Sequence, residues 1–143
     1  MLARLLQLSG HVALVASLTL PAQADFLAGK LAFQNGDYET ALRELRPAAE
    51  DGHAEAQLYL GMMYSRGRGV QRDDTEAVKW ILRSAEQGNV SAQTMLGMRY
   101  VSGRGVPQND DEAVKWFRAA TRRGHPPAQH NLGIMYEQGR GVP

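Results

Sequence analysis

Side chains able to move protons or bind metal are few in this sequence, and they do not converge. His53 and His125 occupy one slot of an internal repeat, each just ahead of a helical stretch, where capping or surface placement is expected. His130 stands on a helix without a second histidine three or four residues away. The H-x-x-x-H, G-x-S-x-G and S-x-x-K spacings are all absent. Glu76 and Glu112 follow Asp73 and Asn109 by three residues and are explained as members of capping boxes. Lys79 and Lys115 fall on the solvated side of the same helices. Trp80 and Trp116 could stack on a ligand, but at this spacing they are expected as half-buried packing residues. With no cysteine in the chain there is no thiolate ligand, no cysteine nucleophile and no disulfide framework. The expectation is a chain without catalytic, cofactor-binding or metal-binding residues, and not an enzyme.

These side chains are set out by a repeat. The stretch AQLYLGMMYSRGRGVQ at 56–71 returns as AQTMLGMRYVSGRGVP at 92–107 and as AQHNLGIMYEQGRGVP at 128–143, a fixed period of 36. Between the copies, EAVKW at 76–80 returns at 112–116, and Ala41-Leu42 fills that slot one period earlier. A fixed period of this size marks stacked helical units. Ala77, Val78, Ile81, Leu82 and Ala85 fall at helical spacing, as do Ala113, Val114, Phe117 and Ala120. Gly52, Gly88 and Gly124 stand where these helices should stop in the left-handed conformation.

Ala56, Leu60 and Tyr64 form one stripe of a second helix, matched by Ala92, Leu96, Tyr100 and by Ala128, Leu132, Tyr136. Gly61, Gly97 and Gly133 sit inside those helices, each at about 1 kcal/mol against alanine. Close approach of a partner helix is the expected return. The loop Gly67-Arg68-Gly69-Val70 and its copies at Gly103 and Gly139 supply residues able to take positive φ. No strand precedes the loop, the P-loop Lys-Ser/Thr is missing, and every repeat has one, so scaffold is the reading rather than phosphate cradle. Seven helices are predicted, near 25–35, 38–51, 54–65, 74–87, 90–101, 110–123 and 126–137.

The first 24 residues differ from the rest. Arg4 precedes an apolar run from Val12 to Leu20, then Pro21 and the A-x-A pattern Ala22-Gln23-Ala24. This predicts a signal peptide over 1–24, cleaved after Ala24, and a periplasmic or secreted chain. A membrane anchor is the alternative, but the run falls well short of the ~18–20 residues a span requires. No stable membrane span is expected after cleavage. Sixteen basic residues against 15 acidic ones, interspersed along 143 residues, supply no basic block for nucleic acid.

The order A-x-A-Q-x-x-L-G-x-x-Y, G-x-G-V-x-x-D/N, E-A-V-K-W and A-x-x-G, at this period, resembles the Sel1-like repeat family of tetratricopeptide-like α-solenoids. The resemblance implies an all-α right-handed superhelix of antiparallel helix pairs. Residues 25–143 would form the solenoid: N-terminal helix 25–35, helix 38–51, repeats 54–88 and 90–124, and a partial repeat 126–143. It also implies a protein–protein interaction scaffold. Some cysteine-rich relatives are associated with β-lactam binding and hydrolysis, so an envelope hydrolase is the alternative, against which the missing cysteines stand. The last repeat stops before its second helix. That points to a shortened relative, or to an apolar end covered by a partner or by self-association.

In the tetratricopeptide layout the L-G-x-x-Y helix lines the concave face. Its groove positions are Leu58, Met62 and Ser65, then Thr94, Met98 and Val101, then His130, Ile134 and Glu137. Leu58, Met62, Met98 and Ile134 would form an apolar strip for a protein or peptide partner, methionine adapting well to irregular surfaces. Alternatively, the methionines fill gaps between helix pairs.

Overall fold

Helix starts and stops follow the repeat. In the computed structural model, which describes residues 22–143, the elements are α1 (Ala22–Gln34), α2 (Tyr38–Glu50), α3 (Ala54–Arg66), α4 (Asp74–Glu86), α5 (Val90–Ser102), α6 (Asp110–Thr121) and α7 (Pro126–Glu137). Asp37, Asp73 and Asn109 cap α2, α4 and α6, each side chain accepting the N–H three residues on. His53 and Asn89 do the same for α3 and α5. Gly67 and Gly103 close α3 and α5 in the left-handed conformation, at φ 63° and 66°. The capping boxes form only in part. Glu76 does not return to the backbone of Asp73; its carboxylate accepts from the Trp80 indole and Lys79, each at 3.1 Å.

Each helix packs on the next in chain order, building an all-α solenoid whose described residues contain no strand. Leu60, Leu96 and Leu132 take equivalent buried places, as do Ala56, Ala92 and Ala128. Three clusters carry the core along the stack, centred on Leu45, Leu60 and Met63, then on Ile81 and Leu96, then on Phe117, Leu132 and Met135. Trp80 is buried and Trp116 half-buried, both as packing residues.

The mid-helix glycines are where helix pairs touch. A Cβ on Gly61 would stand 2.7 Å from Ile81 Cγ1, and one on Gly97 would run into the Phe117 ring. At Gly133, among the described residues, nothing lies within 4 Å of an added Cβ. In the loops, the second glycine makes the inter-repeat contact: a side chain at Gly69, Gly105 or Gly141 would collide with the carbonyl oxygen of Tyr38, Asp74 or Asp110.

One expectation needs correction. The N-terminal segment is a hairpin of the same kind as the later ones, with a shortened connection. Three residues join α1 to α2, where seven join α3 to α4 and α5 to α6. Gly29 approaches Leu45 as Gly61 approaches Ile81, the Cβ distance being 2.7 Å in both. α1 also starts at Ala22, ahead of the expected Asp25; residues 1–21, which hold most of the expected signal peptide, lie outside those described. The exposed residues of α7 are Pro126, Pro127, Gln129, His130, Tyr136 and Glu137, Tyr136 being half exposed. In the copies one repeat back, Gln93 and Thr94 are buried and Val101 is half-buried.

Candidate interaction face

α5 and α7 stand side by side with Phe117 of α6 beneath them. Between them lies a cleft of about 250 Å³ lined by Met98, Val101 and Ser102 from α5, by Asn131, Ile134, Met135 and Gln138 from α7, and by Phe117 and Arg140. Three of the expected groove residues, Met98, Val101 and Ile134, meet here. Met98 is 51% exposed and stands at the edge of this cleft.

The other expected positions are distributed differently. Leu58 (8% exposed) and Thr94 (5% exposed) lie inside the stack, beyond the reach of a partner. Leu58 packs with Ile81, Ala92 and Leu96, and Thr94 Oγ1 lies 2.9 Å from His125 Nδ1. Met62 is half-buried against the same cluster as Leu58. Ser65 accepts a hydrogen bond from Arg99. His130 and Glu137 are exposed on the end face. Of the remaining histidines considered, His53 caps α3 and stacks on Phe26 with ring centroids 4.2 Å apart. His125 occupies the cap position of α7 without a side-chain cap bond.

One buried slot changes from apolar to charged. Slot 63/99/135 holds buried methionine in two copies, and Arg99 in the middle one, its side chain only 9% exposed. Arg99 donates to Asp74 at 2.6 Å and to Ser65. Asp74 also meets Arg72 at 2.9 Å and Arg104 at 3.2 Å. Hydrogen bonds from Arg72 and Arg99, with the nearby charge of Arg104, pull its carboxyl down to about 2. One repeat on, Asp110 has a single guanidinium, Arg140, held through two bonds of 3.0 and 2.7 Å. The loop arginine on the helix-start aspartate therefore belongs to the frame; Arg72 and Arg99 are additions. Sequence patterning overlooked Arg99 because a charged residue at that slot reads as solvated.

A second cleft, of about 280 Å³, is the counterpart of the first one repeat earlier and is lined by Met95, Met98, Arg99, Ser102 and Arg104. Met98 and Ser102 form the ridge shared by the two. Among the described residues there is no group of three or more His, Asp or Glu side chains placed to hold a metal, and no helix long and apolar enough to cross a membrane.

Family comparison matches the Sel1 repeat at residues 54–89, 90–125 and 126–143, most of the chain. The chain belongs to the Sel1 repeat family. This Sel1 repeat chain is similar to c5321, a protective antigen of uropathogenic Escherichia coli strains with an SLR fold. They share 38% identity at a TM-score of 0.81, over 85% of this chain and 27% of that one. It is similar to a Sel1 repeat protein from Oxalobacter formigenes, at 34% identity and TM-score 0.77, over 89% of this chain and 56% of the other. Helicobacter pylori cysteine rich protein B matches at 27% identity and TM-score 0.61, over 64% and 68% of the two chains. An exopolysaccharide production negative regulator of Rhizobium leguminosarum bv. viciae is 44% identical over 54 residues. That match takes in 38% of this chain and spans about a fifth of the regulator's length.

Proposed function

We propose that this Sel1 repeat chain is an exported adaptor, and that the face carried by α5 and α7 binds a segment of another protein. The supporting observation is the cleft beside the half-exposed Met98, where Val101 and Ile134 add apolar surface over a floor made by Phe117. Such a cleft offers a flexible thioether and a branched side chain to a partner's apolar anchor, with the polar rim of Ser102, Asn131 and Gln138 to orient it. Leu58 and Thr94 take no direct part in this reading; their place is between repeats.

The test is capture of partner by tagged protein from its own envelope fraction, compared with the variant Met98→Asp, Ile134→Asp. Both positions have solvent access, so the helical circular dichroism should persist while partner recovery falls by an order of magnitude. Undiminished recovery would exclude the face. Export is read separately: intact-mass analysis of the mature chain should give a first residue of Asp25. Cytosolic protein still carrying Met1 would remove the exported half of the proposal.

A further inference from the structure

Sulfur chemistry in this chain falls to methionine, because there is no cysteine. Five of the six methionines lie among the described residues: Met62, Met63, Met95, Met98 and Met135. Met63 and Met135 are buried in the core, at 0% and 2% exposure, where an oxidant reaches the thioether only if the stack opens. Met62 and Met95 are half-buried against the cluster of Ile81 and Leu96. Met98 alone of the five is half exposed, and it has no place in any of the three core clusters. Oxidation at Met98 therefore leaves the packing between helices as it is. The same side chain borders both clefts, the one between α5 and α7 and its counterpart one repeat earlier. A change of polarity there alters both at once.

We propose that Met98 is a site of reversible oxidation, at which a hydroperoxide converts the thioether to a sulfoxide and so releases the apolar segment bound on this face. A lone pair of the sulfur attacks one peroxide oxygen, the O–O bond breaks, and that oxygen stays on sulfur. With hydrogen peroxide the other oxygen leaves as water; sulfur is oxidised by two electrons and the peroxide is reduced by two. The product is a polar side chain in place of a flexible apolar one. A partner's apolar anchor loses its contact with the thioether, and seating it against the sulfoxide costs desolvation of the new oxygen. The inference rests on the proposed function and names the regulation of its binding face.

The experiment exposes the full chain to graded hydrogen peroxide and follows each methionine by fragment-ion mass spectrometry, with circular dichroism to read the fold. Met98 should oxidise about tenfold faster than Met63 and Met135, and ahead of Met62 and Met95. Chain oxidised at Met98 should keep its helical signal. It should recover about tenfold less protein from the envelope fraction, the scale of losing one buried apolar side chain. Methionine sulfoxide reductases should restore the recovery. Met98→Leu, which has no sulfur at the site, is compared only with itself before and after peroxide, and its recovery should not change. Oxidation of Met62 or Met95 as fast as Met98, or loss of the helical signal with the sulfoxide in place, overturns the inference. So does undiminished recovery by the oxidised chain, or an equal loss in Met98→Leu; all of these leave the proposed function standing. Recovery undiminished in Met98→Asp, Ile134→Asp overturns both.

Discussion

The same residue in the same slot has opposite consequences at Gly97 and Gly133. Phe117 fills the space beside Gly97, whereas nothing lies within 4 Å of a Cβ at Gly133. Gly97→Ala should destabilise by roughly 1–3 kcal/mol, the scale of overpacking. Gly133→Ala should stabilise by up to about 1 kcal/mol through helix propensity alone. Urea midpoints moving in the same direction for both would contradict the close-approach account. Asp74 makes the second residue-scale prediction. Its folded pKa of about 2 lies below the usual carboxylate value of ~3.9. Its contribution is therefore complete above about pH 4 and is lost as pH falls through about 2. Asp74→Asn should lower stability at pH 7 by about 1–2 kcal/mol, less than a fully buried pair because the carboxylate keeps some contact with water. The same variant should flatten the acid limb of the stability curve between pH 4 and 2. An unchanged acid limb would show that Asp74 does not carry it.

At the scale of elements, the loops and helices depend on one another through backbone contacts. Gly105 (φ 76°) has the Asp74 carbonyl against it, while Gly139 (φ 62°) has open space. Gly139→Ala should cost about 1–2 kcal/mol, the penalty of a left-handed alanine. Gly105→Ala should exceed that, since α4 must also move away; equal melting temperatures would contradict the contact. Most helices were legible from the sequence because three near-copies repeat both cap and stop signals. The α1–α2 hairpin was not legible as a repeat. Its connection is four residues shorter than the others, which takes Gly29 out of the 36-residue register and removes the glycine loop that marks the other copies. The expected groove positions divide between interior and surface for a related reason. Helical periodicity shows that Leu58 and Thr94 share a face with Met62 and Met98, but not that this face turns into the neighbouring repeat. Arg99 escaped because its partner Asp74 lies 25 residues away and neither residue signals the other.

Considered as a whole, the molecule invests its repetition in stacking. Ala56, Leu60, Gly61 and their copies do the same work in each unit. Arg99 in place of methionine and the half-exposed Met98 both stand on α5. The proposed interaction surface around Met98 is the central claim. A photo-crosslinking amino acid at position 98 in cells tests it most directly, with position 79 on the exposed side of α4 as the comparison. The account predicts a covalent adduct to a discrete protein from position 98 and little from position 79. Adducts of equal yield from both positions, or adducts from 79 alone, would contradict it.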